Sequence, residues 1–255
     1  AEDVNFLFAD FQAITEFAFA MEYGGTPASP FPGSNHTVTT SKNDNIGLFG
    51  EVSYSLSEQL TFDAGLRYAY DRKDYTNTRS GESFEGEPVN FTVGEKRSWD
   101  AWLPSVTLRY EPNADVSLYG RYARGYKPGG WTGEDANTPA EALVSFDPET
   151  ADSFELGAKM AFAERRIFVN AAAYYTLYEN LQTNQFVSPG PGMPPDNFVF
   201  NAANGTRAYG LELDAYARLT DELTVSGNYA YSRCNFTGEL IIDDDGTDLD
   251  GNTCR

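Results

Sequence analysis

The sequence predicts an all-β fold: an antiparallel up-and-down transmembrane β-barrel, present as an incomplete part of about eight strands with long outer loops. Three observations predict it. Apolar and polar residues alternate strictly in eight separate runs, the period of a half-buried strand. Short and long connections take turns along the chain. The polar face of most runs carries charge, which a wide, wet lumen tolerates and a narrow barrel filled with side chains would have to pair inside.

The strands follow in order. In IGLFGEVSYSL, Ile46, Leu48, Val52, Tyr54 and Leu56 share one face, and Glu51, Ser53 and Ser55 the other. In LTFDAGLRYAYD, Leu60, Phe62, Ala64, Leu66, Tyr68 and Tyr70 alternate with Thr61, Asp63, Gly65, Arg67 and Asp71. Trp102, Val106, Leu108 and Tyr110 oppose Ser105, Thr107 and Arg109, and Val116, Leu118 and Tyr122 oppose Ser117 and Arg121. Phe154, Leu156, Ala158, Met160 and Phe162 oppose Ser153, Glu155 and Lys159. Ile167, Val169, Ala171, Ala173, Tyr175 and Leu177 oppose Asn170 and Thr176. Leu211, Leu213 and Ala215 oppose Glu212, Asp214 and Arg218, and Leu223, Val225, Tyr229 and Tyr231 oppose Thr224, Ser226, Asn228 and Ser232. Pro104 interrupts the third run, and a proline lacks a ladder donor.

Short turns are centred near 58, 113, 165 and 221, so a hairpin recurs about every 54 residues. Long polar segments fill roughly 72–97, 128–150, 183–205 and 237–255. Short turns on one side and long loops on the other are the asymmetry of outer-membrane barrels. Aromatics near strand ends, among them Trp99, Trp102, Tyr119, Tyr122, Trp131, Tyr174 and Tyr175, suggest a girdle at the headgroup level. Cross-strand aromatic pairs in any antiparallel sheet would give the same pattern.

The domain reading is an outer loop region over 1–45, barrel strands and loops over 46–236, and a further outer loop over 237–255. Within 1–45, Phe8, Phe11, Ile14 and Phe17 are spaced by threes, as in a short amphipathic helix. Phe17, Phe19, Met21 and Tyr23 alternate instead, as at a strand end.

Composition excludes several classes. With 38 acidic and 18 basic side chains the net charge is −20, against a nucleic-acid partner. No apolar run reaches the length of a transmembrane helix. His36 is the one histidine, in a Pro/Gly/Ser stretch, so a His-rich zinc site is impossible and a Ser-His-Asp triad would have to use it. No nucleophile constellation accompanies it. Carboxylate pairs such as Glu212 and Asp214 share a strand face without a cleft, so an enzyme is not expected, nor a cofactor or resident metal.

Four segments carry a family resemblance. RYARGYKPGGWTG (121–133) resembles the aromatic–basic–x–Gly–Gly–aromatic segment of TonB-dependent outer-membrane receptors. FDPETADSFELGAKMAFAERRIFVNAAAYYTLYENLQ (146–182) is similar to that family's Pro-Glu-Thr hairpin, and NAANGTRAYGLELDAYARLTDELTVSGNYAYS (201–232) to its Tyr-Gly-Leu-Glu-Leu hairpin. DGTDLDGN (245–252) resembles the loop that often follows. The resemblance covers about 46–252, with the segments in the family's order. It implies a 22-stranded barrel, an N-terminal plug domain and a short box that engages the coupling protein TonB. No plug-like region or box is recognised, and at about 27 residues per strand 255 residues cannot make such a barrel. An internal part of the barrel, with open sheet edges near 46–57 and 223–236, is therefore expected.

The resemblance also frames the candidate site. Arg67, Arg109 and Arg121 on the lumen face could attract anionic iron chelates, with pairing to Glu51, Asp63 and Glu155 as the alternative. Lys127 and Trp131 at a loop mouth could touch a ligand, or serve as girdle and turn. Cys234 and Cys254 bracket CNFTGELIIDDDGTDLDGNTC, and an oxidising envelope compartment allows a disulfide there; two free thiols are the alternative. The run Asp243, Asp244, Asp245, Asp248 and Asp250 fails EF-hand spacing and reads as a solvated acidic loop. Sequons at Asn35, Asn90, Asn204 and Asn235 would matter only in a eukaryotic secreted protein.

The expected function is active uptake of a scarce nutrient, foremost an iron–siderophore complex, across the bacterial outer membrane. The expected partners are outer-membrane lipid and lipopolysaccharide, a metal-chelate ligand, and TonB through an N-terminal part. A passive porin and a soluble β-sandwich glycan-binding module are the competing readings.

Overall fold

The computed structural model describes residues 8–11, 35–83, 87–133, 136–187, 196–202 and 205–236. One antiparallel sheet dominates. Its strands are β1 (Phe8–Phe11), β2 (Asn35–Ser55), β3 (Leu60–Glu82), β4 (Pro88–Asn113), β5 (Val116–Lys127), β8 (Glu149–Phe162), β9 (Ile167–Glu179), β12 (Thr206–Arg218) and β13 (Thr224–Phe236). Each is hydrogen-bonded to the next in that order. Between β5 and β8 lie β6 (Gly130–Trp131), the short helix α1 (Pro139–Ala142) and β7 (Ser145–Phe146). The hairpin of β10 (Gln182–Val187) and β11 (Asp196–Asn201) lies between β9 and β12. All eight strands expected from alternation are present.

Register places the alternating residues on shared faces. Leu48 pairs with Tyr68 and Tyr68 with Trp102. Further round, Leu156 lies between Gly120 and Ala173, and Ala173 pairs with Leu211. This face is apolar and uncovered: Leu156 is 71% exposed, Ile46 60%, Trp102 59% and Tyr229 57%. A soluble sandwich would bury such a face under a second sheet. None covers it among the described residues, so the soluble-module reading loses its support. Aromatic pairs Tyr68–Trp102, Tyr122–Phe154 and Tyr175–Tyr209 stand on this face at ring separations of 4.8, 5.2 and 6.4 Å. The girdle reading needs one correction. Trp99, Tyr119 and Tyr174 have the opposite parity and belong to the polar face, because they keep phase with Asp71, Arg121 and Thr176.

The short turns are self-capped. Ser57 Oγ accepts from the N–H groups of Gln59 and Leu60, and Thr220 Oγ1 from those of Glu222 and Leu223. Ala163, Glu164 and Arg165 all have left-handed φ of 52°, 55° and 62°. L-residues disfavour that conformation. Arg165 reaches the preceding turn, where Nε donates to Asp115 Oδ1 at 2.8 Å and Nη2 to the Ala114 carbonyl at 2.6 Å.

Two boundaries differ from the sequence expectation. The polar stretch 72–97 continues the β3–β4 hairpin with unbroken register from Leu60↔Tyr110 to Glu82↔Pro88. Residues 35–45, expected as loop, belong to β2, and Phe8–Phe11 forms a strand paired with Asn45–Leu48, not a helix. The reason is the same in both places. Beyond the membrane neither face of a strand meets lipid, so no hydrophobic alternation marks it. The alternation over 17–23, the loop after residue 236 and Cys254 lie outside the described residues.

Pro104 stays in strand and pairs with Leu66 on β3, but the β4–β5 ladder stops at Ser105↔Ala123. The proline has no N–H to offer at the next position. Above it, β4 stays with β3 and β5 stays with β8, whose ladder runs on to Lys127↔Glu149. The wall therefore forks at its outer half.

Candidate ligand-facing wall and docked outer loops

The polar face is built from odd-numbered residues of β2 to β8 and even-numbered ones from β9 onward, as the registers require. Its lower part is lined by small residues and paired charges. Arg109 stands 3.7 Å from Asp63 and 3.9 Å from Glu111. Asp63 also accepts from Ser53 Oγ. Arg121 lies directly opposite Glu155, yet Glu155 Oε1 accepts the hydroxyl of Tyr119 at 2.6 Å. The guanidinium of Arg67 reaches over Gly47 on the next strand. The three arginines thus share one face, and among the described residues Arg109 is the one of them held by ion pairs.

The upper part is covered. After Lys127 the chain turns inward over the polar face of the β3–β4 extension, and several of the buried side chains among the described residues lie beneath it. Asn77 is fully buried and Tyr75 and Arg79 nearly so. Each holds the covering segment. Lys73 Nζ donates to the Gly129 carbonyl at 2.6 Å, Asn77 Nδ2 to that of Gly133 at 2.8 Å, and Arg79 Nη1 to that of Ala136 at 2.8 Å. Trp131 stacks on Tyr75 with centroids 4.9 Å apart and 9° between planes. It meets Trp99 edge-on at 5.9 Å, and its Nε1 donates to Glu95 Oε2 at 2.9 Å. The Lys73 ammonium sits 5.7 Å from the Trp99 ring centroid. Burial lowers the Lys73 pKa below the ordinary lysine range; Asp71 opposes that shift and the Lys127 charge adds to it.

The glycines of the PGGWTG segment permit this approach. A Cβ at Gly129 would stand 2.5 Å from the Phe146 carbonyl oxygen and 2.9 Å from the Trp99 ring, and one at Gly130 2.6 Å from the Phe146 ring. The β10–β11 hairpin then locks onto the same segment. Gln182 Nε2 donates to the carbonyls of Pro128 and Asp147, Asn201 Nδ2 to that of Asp147, and the Val199 N–H to Thr132 Oγ1.

Of the expected site residues, Trp131 is committed to Tyr75, Trp99 and Glu95, while Lys127 is exposed opposite Glu149. Arg67, Arg109 and Arg121 lie lower on the wall. Lys73, Tyr75, Asn77, Arg79 and Glu95 were missed, hidden in a stretch read as polar loop, and Trp99 was read as a girdle aromatic. The signal was there: they keep the odd-numbered phase of Arg67 and Asp71. Cys234 is disulfide-bonded.

A long-stranded sheet with an uncovered apolar face, a charged inner face and outer loops folded over that inner face narrows the families to compare. The sequence matches the TonB dependent receptor-like, beta-barrel family over residues 3–253. The chain belongs to that family of bacterial outer-membrane barrels. It is 24% identical over 220 residues to the metal-pseudopaline receptor CntO of Pseudomonas aeruginosa, covering 86% of this chain and 28% of that protein. It is 24% identical over 204 residues to the ferric-pyoverdine 358 receptor of Pseudomonas putida, covering 79% of this chain and 22% of the other. Among solved structures, the ferric yersiniabactin uptake receptor FyuA from Yersinia pestis superposes with a TM-score of 0.64 at 24% identity, over 86% of this chain and 30% of that one. The closed form of the ferric-catecholate import receptor Fiu from K12 E. coli gives 0.58 at 15% identity, over 85% and 36%. These likenesses establish the fold. The chain spans about 28% of the length of the first of these relatives, and the TonB-dependent receptor sheet described above is open, with β13 bonded only to β12 among the described strands.

Proposed function

We propose that this chain is part of the wall and outer mouth of a receptor that takes up a metal chelate, foremost an iron–siderophore complex, across the outer membrane. The observation that carries the reading is the inward-folded segment after Lys127, pinned by Lys73, Tyr75 and Trp131 over the polar face. It closes over the polar face at the lumen's mouth, where an anionic chelate would enter, and leaves Lys127 exposed beside it. Relatives named as receptors for pseudopaline–metal and ferric pyoverdine support the ligand class. Arg67, Arg109 and Arg121 lower on the wall would draw the anion inward, with Lys127 and Trp131 at the rim. Coupling to TonB would run through the plug end of the whole receptor. No observation favours a passive porin, and the family match is to TonB-dependent receptors. The Cys234 disulfide is assigned to Cys254, the other cysteine of the chain, closing an acidic outer loop; a loop of that size stabilises by roughly 3 kcal/mol.

The test is uptake of radioactive ferric siderophores by host cells lacking the full-length gene, complemented with wild type or with Lys127→Gln/Arg67→Gln. TonB-dependent uptake restored by wild type and weakened by the double variant is expected. Uptake that persists without TonB would overturn the active-transport reading, and no uptake of any metal chelate would overturn the ligand class.

A further inference from the structure

Two prolines stand on opposite sides of the place where the wall divides. The β4–β5 ladder ends at Ser105↔Ala123, and above it no main-chain bond joins the two strands among the described residues. Continued upward, that register would set Arg124 against Pro104, Tyr126 against Trp102 and Pro128 against Asp100. In an antiparallel strand every second residue turns its N–H to the same neighbour. Pro104 keeps its place opposite Leu66 in the unbroken β3–β4 ladder, while the β4–β5 ladder stops beside it. The N–H it lacks is therefore one that would face β5. Residues 104, 102 and 100 share that direction, and 124, 126 and 128 share the answering one. Pro128 thus lacks a donor on the same line, from the opposite strand. Between the two prolines only Trp102 and Tyr126 would pair with both donors intact.

Side chains repeat the division. Arg124 on β5 reaches back to Asp152 on β8, with Nε and Nη2 donating to its two oxygens at 2.8 and 2.6 Å. On β4, Lys96 pairs with Asp74, and Trp102 rests against Tyr68 with 4.8 Å between centroids, both on β3. The buried Tyr126 hydroxyl has no hydrogen-bond partner among the described residues. An open main-chain edge is costly in hydrocarbon, so the slit belongs at or above the headgroup level, which suits the exposed Trp102 and its Tyr68 neighbour. There water serves the unpaired groups, and the strands are free to separate. We propose that Pro104 and Pro128 together form a gating device. They keep the slit unbonded, so that the β3–β4 extension tilts away from β5 and uncovers the polar face beneath the docked segment. The device goes beyond the uptake reading, since it serves any solute that enters the mouth.

The test uses the full-length receptor in lipid nanodiscs, as wild type and as Pro104→Val/Pro128→Val, with two readouts. The first is residue-resolved hydrogen exchange. In wild type the amides of Trp102 and Tyr126, which face the slit, should exchange about tenfold faster or more than those of Leu103 and Lys127, which face β3 and β8. In the double variant that difference should vanish as the ladder extends. The second is the distance distribution between spin labels on cysteines introduced at Thr92 on the extension and Leu177 on β9, read by double electron–electron resonance. It should be broad in wild type and narrow in the double variant. Slow exchange at Trp102 and Tyr126 in wild type would show the slit bonded and overturn the proposal, and this readout decides alone should the double variant fail to fold. A folded double variant whose Trp102 and Tyr126 still exchange fast overturns the role of the prolines. Equal distance widths in a variant whose ladder has extended overturn the gate.

Discussion

The ring of Tyr119 lies across Gly157 on the neighbouring strand, in the space a side chain at 157 would need, and its hydroxyl donates to Glu155 two residues away. The arrangement recurs on the same face. Tyr174 lies across Gly210, where a Cβ would meet the Tyr231 carbonyl oxygen first and then stand 2.7 Å from the tyrosine oxygen, and its hydroxyl donates to Ser232 Oγ at 2.9 Å. Large rings thus lie flat along the wall, each laid over a glycine of the next strand. This gives the glycine of the Tyr-Gly-Leu-Glu-Leu segment a physical reason that turn geometry does not supply.

Filling these notches should therefore lift the rings off the wall. Gly157→Val and Gly210→Val are expected to cost about 1–3 kcal/mol each, the range for overpacking a close contact. Urea unfolding of the full-length receptor refolded into bilayers measures it. Adding Tyr119→Ala to Gly157→Val should recover part of the loss; equal losses with and without the tyrosine would show that the ring is not the obstacle.

The two faces predict opposite responses to charge. Leu66, Leu108, Leu156 and Leu213 share the apolar face and should meet lipid, whereas Arg67, Arg109, Glu155 and Glu212 share the polar face and should meet the lumen. Leu156→Arg is expected to cost roughly 2–4 kcal/mol near the midplane, and Glu212→Arg far less. The same bilayer unfolding assay reports both, and arginine tolerated at all four leucines would refute the assignment.

Orientation follows from the turns. Single cysteines at Glu58 and Asp221 in short turns should resist a membrane-impermeant thiol reagent on intact cells, while one at Thr92 in the β3–β4 extension should react. Strong surface labelling at 58 or 221 would invert the molecule.

Docking of the segment after Lys127 should depend on Trp131 and on pH. Trp131→Ala removes a stacked ring and a hydrogen bond, and should expose residues 128–148 to protease at low enzyme concentrations. The Lys73 pKa is lowered by docking, so the undocked segment leaves the lysine with more bound protons between the docked and free values. Docking should tighten as pH rises through that window toward about 10.4, the free lysine value. Lys73→Met should flatten the dependence, seen as protection that no longer varies with pH.

How much of this was legible in sequence depends on what each residue touches. Ile46 to Leu56 announced a strand because its two faces meet different solvents, and alternation records that difference. Lys73, Tyr75, Asn77 and Arg79 continue β3 where neither face meets lipid, so only their phase betrayed them. Arg109 and Asp63 could be paired from alternation and hairpin order. The stacking of Trp131 on Tyr75, 56 residues earlier, could not, because it depends on the path of a loop that doubles back over the wall. Pro104 looked like a blemish in a strand and marks the point where one ladder becomes two.

That fork has a mechanical consequence. Above Pro104 the β3–β4 hairpin is an arm hinged to its neighbour on one side only. Between it and β5 there is no main-chain seam to unzip. What holds the arm to the docked segment is a set of side-chain fasteners, Lys73 to Gly129, Asn77 to Gly133, Arg79 to Ala136, Glu95 to Trp131 and Arg97 to Ser145, with the Tyr75–Trp131 stack among them. Widening the mouth along this line breaks those few links and leaves every rung of the wall below intact.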